Sequence, residues 1–590
     1  PSPPLPLVHP PRITCIPAWH YVGDYLRGIS FTEPALLPDN AGWIQTTPAP
    51  DDANLTVTHR FTDSTRSEWR ASATLDNDPR HDNADTTTVL ATTFDNRADW
   101  WQRYWRRVPR IDTPDSRWRF LYYYGLYKFA GLTAPQGIAA TLQGPWVEEY
   151  QMPPWSCDYH FNINVQMCYW PAYQSGLHDH LLPLFALIES WLPVLRENAK
   201  KFVGIDDGYL LPHAVDDHCG IIGAFWTGTI DHACTAWVGK MMYDYWHYTG
   251  DEPFLRRLAY PFMAGALNVY AAMLERQPDG TLAMPVSVSP EYRAAAMDAW
   301  GRNASFQLAA CHWLAGALEN AAGVLGETPD PRWRDIRQNL PLASLHSSRT
   351  TPPDPDHAAS RPEIAIWEGL LPEGSHRHHS HLAGFCPFDI LDADDPEFRT
   401  IAERTADRWV NEGMGKWAGW SMPWAAMLHS RFGNPDMTDL TIAIWERVFT
   451  NEGHGTMHDP GFSGFSLIGR PGKSAPAARG EIMQMDAGMA TTAAIMDAFI
   501  HTRRGAVHLF PGIPTRWPEC SFERIRIEGG FLVSARRSGG RIVNLRIKAT
   551  RAARLTLANP WPEPDTSSAP AGSPLVVDLV AGETREITPP

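Results

Sequence analysis

Apolar positions recur at helical spacing through the middle of the chain and alternate as in strands toward both ends. Leu181, Phe185, Ile188, Leu192 and Leu195 fall at 4-3-4-3 spacing, with Pro193 expected to kink that helix or end it. Trp237, Met241, Tyr245 and Tyr248 form a second stripe. Phe262, Ala266, Val269 and Met273 form a third, with Pro261 suited to a first-turn position and Pro278-Asp279-Gly280 closing it. Phe306, Ala310, Trp313 and Ala317 give a fourth, and Met489, Ala493, Met496 and Ile500 another. Ahead of these, the polar, Trp-rich stretch 98–107 and the Tyr- and Leu-rich stretch 120–132 also read as helices. Repeated helices joined by long loops bearing Gly and Pro predict stacked or toroidal helical hairpins, a mainly α architecture.

The flanks carry strand-and-turn chemistry. Residues 1–95 set runs such as Leu55-Thr56-Val57-Thr58 and Thr88-Val89-Leu90-Ala91 between Pro, Asp and Asn clusters. That stretch is short for a complete two-sheet sandwich and reads as a partial sandwich or cap. After Arg504, Ile525 and Ile527 alternate with charged residues, Gly529-Gly530 turns, and Ser538-Gly539-Gly540 turns again, which predicts a hairpin series. The expected division is therefore a β-rich segment over 1–95, a linker helix over 96–118, a helical body over 119–504 and a small β domain over 505–590.

Composition narrows the partners. Lys plus Arg is 51 against 66 Asp plus Glu, a formal charge of −15 that repels phosphate backbones, so nucleic acid is not expected. With 44% hydrophobic and 20% charged residues, the chain can bury a large core. No apolar run reaches the length of a membrane span. Cysteines 15, 157, 168, 219, 234, 311, 386 and 520 form no CxxC pair and read mostly as buried thiols. The first residues, Pro1-Ser2-Pro3-Pro4, carry no leader, so a signal peptide is read as removed or not included, and the short β segment as a sign that more of the chain lay upstream. The 25 Trp suit either a wide core or stacking on sugar rings.

Four segments could carry chemistry. Glu291, in Pro285-Val286-Ser287-Val288-Ser289-Pro290-Glu291-Tyr292, is either one of the two acids that hydrolysis needs or a surface loop residue. Asp486 opens the last strong helix and is either the second acid or a helix cap. Asn162 and Asn164 point to one side if their segment is extended, where both amides could hold one water; two turn residues is the plainer alternative. The segment from Gly374 to His381 holds four His and one Arg, but it lacks an HExxH arrangement or a paired Cys, which favours hydroxyl binding over zinc. Phosphate loops, dinucleotide fingerprints and a GxSxG elbow are absent.

In order, these words resemble the catalytic region of glycoside hydrolase family 95, the α-L-fucosidase and α-L-galactosidase family. Leu142-Gln143-Gly144-Pro145-Trp146 resembles its LQGxW. Pro153-Pro154-Trp155, Asp158-Tyr159 and Asn162-Ile163-Asn164 resemble its PPW…DY…NIN block, and Tyr169-Trp170-Pro171-Ala172 its YWPA. Ser289-Pro290-Glu291, Trp367-Glu368, His376-Arg377-His378, Ser380-His381-Leu382, Gly419-Trp420-Ser421 and Gln484-Met485-Asp486 follow the family's later signatures. His508-Leu509-Phe510-Pro511 and Gly529-Gly530-Phe531 follow those of its C-terminal β region. The chain departs from NINTEMNYW at Gln166 and Cys168, and from DGNFGG after Asp486.

The resemblance implies an (α/α)6 barrel, as in six-hairpin glycosidases, with an N-terminal β segment and a small C-terminal β domain. It makes Glu291 the general acid with a raised pKa, Asp486 an ionised general base, and Asn162 and Asn164 the holders of the attacking water. Arg377, His378, Trp146, Trp170 and Glu368 become sugar-binding candidates. The implied activity is inverting, exo-acting removal of a terminal L-fucose or L-galactose-like sugar from an oligosaccharide or glycoconjugate, without a cofactor or metal, outside the cell or in a periplasm. The alternatives are a glycoside phosphorylase and a non-catalytic carbohydrate-binding protein on the same fold.

Overall fold

The computed structural model describes residues 97–145, 153–223, 225–347, 362–451, 454–460, 483–561 and 574–589, four strands ahead of residue 97, and residues 23, 24 and 27. Trp146, Cys15 and the run Thr88-Val89-Leu90-Ala91 lie outside the described residues. The chain falls into two compact units, Pro1–Arg106 with Val147–Ser156, and Arg107–Trp146 with Cys157–Pro590.

In the first unit, Ala35–Asp39, Gly42–Thr46, Ala53–Asp63 and Arg66–Leu75 form an antiparallel sheet in chain order. The expected strand at Leu55-Thr56-Val57-Thr58 lies inside the third of these. In the helix Arg97–Arg107, Trp100 stacks on Tyr104 at 5.3 Å and Trp101 on Trp105 at 6.0 Å, pairs at the i,i+4 spacing that brings side chains together on one helix face.

The second unit is mainly helical, with sheet at its C-terminal end. Asp115 caps the helix Ser116–Leu132 by accepting from Arg117 N at 2.8 Å, and Asp330 caps Pro331–Asn339 in the same way. Pro193 neither kinks nor ends a helix. One helix, Leu182–Ser190, stops before it, and a second, Leu192–Val203, starts with Pro193 in its first turn, where a missing N–H costs nothing. Pro261 sits in the first turn of Tyr260–Met273, as expected.

The helix Asp486–Phe499 is buried all round, so its apolar stripe marks no single face. It packs against Ser116–Leu132, Asn164–Tyr169 and Ser421–Arg431. The crossing with Ser116–Leu132 depends on Gly125, where an added Cβ would lie 1.8 Å from Thr492 Oγ1. Deeper in the core, Trp237 is fully buried against Phe388 at 5.8 Å, Phe306 at 6.2 Å and Trp424 at 6.3 Å.

Helix gives way to strand at Ile500, a few residues before the switch expected from the sequence. Cys520–Ile527, Phe531–Ser538 and Arg541–Ala549 form the expected hairpins, extended by Thr584–Ile587 on one edge and Arg110–Asp112 on the other. A strand from the stretch read as a linker thus joins this sheet. A four-stranded sheet, Ile500–Arg503, Ala506–Leu509, Ala553–Leu557 and Leu575–Leu579, lies alongside it in the sequence. Among the described residues no two cysteines form a disulfide, and all but Cys157 are buried. Among the described residues no helix is long and apolar enough to cross a membrane.

Candidate active site

The short motifs are knitted together by hydrogen bonds. Leu142 O accepts from Met485 N at 2.9 Å, Leu142 N donates to Asp158 O at 3.2 Å, and Gln143 Nε2 donates to Met483 O at 3.1 Å. One loop therefore ties the Asp158 segment to the segment that carries Asp486. Ser289 and Ser380 share a hydroxyl hydrogen bond of 2.6 Å, which joins the Glu291 loop to the His-rich segment. Ser421 Oγ donates to Arg377 O at 2.8 Å and accepts from Ala418 N at 3.0 Å, fixing the backbone beneath Arg377.

These ties bring Glu291 and Asp486 to one pair of amides. Asn162 Nδ2 donates to Glu291 Oε1 at 2.9 Å, and Asn164 Nδ2 donates to Asp486 Oδ2 at 2.5 Å. The Asn162-Ile163-Asn164 segment is a turn entering the helix Asn164–Tyr169, the plainer of the two alternatives the sequence left open, yet both amides reach the acids. Because each amide spends its NH₂ on a carboxyl, its oxygen is what remains for a ligand. Asn162 Oδ1 is buried and has no partner among the described residues.

Glu291 is not a surface residue: its side chain is 9% exposed. Its backbone takes the left-handed conformation, φ 56°, which costs a non-glycine residue roughly 1–2 kcal/mol and turns the carboxyl inward after Pro290. Arg377 forms an ion pair with Glu291 Oε2, His378 Nε2 stands 3.7 Å from the same oxygen, and His160 Nε2 is 3.6 Å from Oε1. His160 Nδ1 lies 3.2 Å from the buried Asp158, giving a line of carboxyl, imidazole and carboxyl. His378 is neutral, since burial first and the Arg377 charge second hold it well below 6.5; neither ring nitrogen has a partner among the described residues. Its ring packs 4.6 Å from Trp420.

Asp486 is fully buried at the first turn of its helix, with Oδ1 accepting from Ala487 N at 2.6 Å. Burial raises its pKa from 3.8 to about 6. The hydrogen bonds from Asn164 and Ala487, and the charges of His458 and His160, offset only part of that rise. Asp486 therefore titrates above the ordinary carboxylate range and is still mostly ionised at neutral pH. Its neighbours are mostly neutral dipoles, which compensate desolvation less than a cation in contact would.

Two sequence candidates stand apart from this cluster. Glu368 is half-exposed and is held by Asn303 Nδ2 at 2.6 Å and Arg302 Nε at 3.3 Å. Trp170 lines a different cavity, near Trp237. Of the four histidines of the 376–381 run, His376 and His378 face toward Tyr292 and Glu291. His379 is packed among Trp409, Trp417 and Trp424. Among the described residues no three His, Cys, Asp or Glu side chains come together as metal ligands. The departures at Gln166 and Cys168 are accommodated inside the fold: Gln166 Nε2 donates to Phe161 O, and Cys168 Sγ lies 3.8 Å from Thr141 O.

Several residues at the site escaped sequence reasoning. His160 had a signal, the alternation His160, Asn162, Asn164. His213, whose ring lies 4.9 Å from that of His160 and whose pKa burial lowers to about 2, had none. His458, held by Asp459 at 2.6 Å, had none either.

With this geometry in view, the comparisons are specific. The model of the glycosyl hydrolase family 95 catalytic domain matches residues 102–499. Alpha-L-fucosidase 2 of Arabidopsis thaliana is 25% identical over 463 residues, covering 74% of this chain and 50% of that protein. A probable alpha-fucosidase A of Aspergillus niger is 27% identical over 446 residues, covering 70% and 51%. The chain thus spans about half the length of the curated relatives it matches. Among solved structures, a putative kojibiose phosphorylase from human microbiome shares the fold at TM-score 0.58 and 11% identity, over 95% of this chain and 80% of that one. The family match covers the segments that carry Glu291, Asp486 and both asparagines, and the chain belongs to glycosyl hydrolase family 95.

Proposed function

We propose that this chain is an inverting, exo-acting glycoside hydrolase that removes a terminal L-fucose or L-galactose-like residue from an oligosaccharide or glycoconjugate. The observation that supports it best is the double amide bridge: acids 195 positions apart in the chain each accept from one of two asparagines two residues apart. In this reading Glu291 protonates the glycosidic oxygen and Asp486 takes a proton from water. The amide oxygens of Asn162 and Asn164 orient that water toward the anomeric carbon. The transition state resembles an oxocarbenium ion, so preorganised dipoles around it lower the barrier.

Arg377 and His378 are read as sugar-binding groups. Sugar hydroxyls would draw the Arg377 guanidinium away from Glu291, and loss of that cation in a drier site favours the protonated form that an acid catalyst needs. Asp486 is half ionised near pH 6, so the base form prevails at neutral pH. A phosphorylase would instead have to seat a phosphate against this buried carboxyl, with like charges in contact.

The same reading takes residues 119–504 as a closed (α/α)6 barrel, 1–95 as a partial sandwich or cap, 96–118 as a linker and 505–590 as a β domain. A glycan substrate points to extracellular or periplasmic work. The deciding experiment is a panel of aryl α-L- and β-D-glycosides assayed with wild type, Glu291→Gln and Asp486→Asn, with the product anomer followed by NMR. Inverted product and turnover lowered about 10²–10⁴-fold in both variants are expected. Retained configuration, dependence on phosphate, or activity surviving both changes would overturn the reading.

A further inference from the structure

A second cavity, of about 550 Å³, lies at the far end of the helix Asp486–Phe499. Asp497 lines it, eleven positions along the helix from Asp486, a rise of about 16 Å. The cavity gathers the C-terminal half of Ala233–Thr249, the middle of Ser305–Leu325, residues 385–390 and the first hairpin of the β region, and the exposed Arg504 and Gly505 stand at its edge. Nothing in the chemistry proposed above uses it.

Its walls describe a ligand. Cationic and acidic side chains line it in equal number, and the innermost are paired with each other. Lys240 Nζ lies 2.8 Å from Asp244, and Arg431 grips Asp497 with both terminal nitrogens. Such a surface attracts neither an anion nor a cation, and its ionic groups would be poorly solvated by an apolar guest. Hydrogen-bonding capacity is nevertheless left over. Asp389 Oδ2 accepts from Arg504 N at 2.8 Å, while its other oxygen has no partner among the described residues. The indole N–H groups of Trp170 and Trp313, both lining residues, have none either among the described residues. Indole walls suit the C–H faces of a sugar ring, and the spare donors and acceptors suit its hydroxyls. The volume is within the ~300–1,000 Å³ range of small-molecule sites.

We infer that this cavity is a second carbohydrate-binding site, for a neutral mono- or disaccharide, separate from the Glu291–Asp486 site. Gly316 supplies a clean test. It lines the cavity from the helix Ser305–Leu325, and a Cβ added there meets only Arg337 Nε, at 3.9 Å. A Cβ is therefore accommodated at this position, Gly316→Leu adds bulk at the cavity wall, and removing a mid-helix glycine favours folding.

Calorimetric titration with L-fucose, D-galactose, D-glucose and lactose is performed on wild type, Glu291→Gln, Gly316→Leu and Asp389→Asn, each with an intact unfolding transition. A saturable sugar isotherm that survives Glu291→Gln, weakens at least about tenfold in Gly316→Leu and weakens less in Asp389→Asn is expected. Hydrolysis of an aryl glycoside stays unchanged in Gly316→Leu. The inference fails if no sugar saturates at millimolar concentration, if binding is indifferent to Gly316→Leu, or if sulfate competes for the same site. The readout needs no turnover, so a catalytic failure leaves it interpretable.

Discussion

Asp486 and Asp497 belong to one helix, both are buried, and their carboxyls are driven in opposite directions. Burial raises Asp486 to about 6, because its partners are an amide and a backbone N–H. Burial acts on Asp497 too, but the Arg431 guanidinium, with His501 behind it, outweighs that push and leaves it at about 2. What a buried acid becomes is thus decided by its partner rather than by its depth. A neutral partner leaves a group able to trade protons near neutral pH, and a cationic partner makes a fixed structural charge.

Exchanging the roles by mutation tests that contrast, and the largest effect is expected on turnover. Asp486→Asn should cost about 10²–10⁴ in kcat with the fold intact, whereas Asp497→Asn should retain chemistry and lose about 3–5 kcal/mol of stability in denaturant unfolding, because it strands a buried guanidinium. Loss of kcat without loss of stability in the Asp497 variant would erase the distinction.

Stability against pH should then separate the pair by sign. The folded value of Asp486 lies above its unfolded value, so the folded state is penalised as pH rises through about 6 and is free of the penalty below about 4. Asp486→Asn should accordingly be more stable than wild type at pH 8, by roughly 3 kcal/mol, and equal to it near pH 4. For Asp497 the folded value lies below, so its stabilisation is present above about 4 and is lost as pH falls through about 2. Equal unfolding temperatures for wild type and Asp486→Asn across that range would contradict the account.

A smaller effect belongs to Asn164. Its hydrogen bond lowers the Asp486 pKa, so Asn164→Ala should move the acid limb of kcat/KM upward from about pH 6, by up to about one unit, in whatever activity remains. A downward shift would show that the amide does not stabilise the anion. The smallest effect is expected from Trp170→Ala, which should change the KM for an aryl glycoside by less than about twofold, since Trp170 lines the far cavity. A large KM change there would return it to the substrate site.

Much of the site was legible as words in order. Glu291, Asp486, Asn162, Asn164, Arg377 and His378 all come together, and the C-terminal hairpins and most of the helical stripes lie where their periodicity puts them, although the stripe over 181–195 is shared by two helices and Ile500 belongs to a strand. Other features were illegible for physical reasons. Pro193 reads alike as a breaker or a starter until its neighbours show which helix needs it. Trp170 belongs to a family-like word, but a word does not say toward which end of a helix layer an indole points. His213 and His458 reach the site through loops far away in sequence, with no periodic signature.

Local chemistry by itself therefore determined which segments are helix or strand, and which side chains can accept or donate protons, because propensity, caps and alternation act over a few residues. Only the tertiary structure decided which acid meets which partner, that Glu291 turns inward through a left-handed backbone, and that one helix carries a titratable carboxyl at one end and a locked one at the other. Desolvation and ion pairing depend on neighbours supplied by the whole fold, and adjacency in the chain does not encode them.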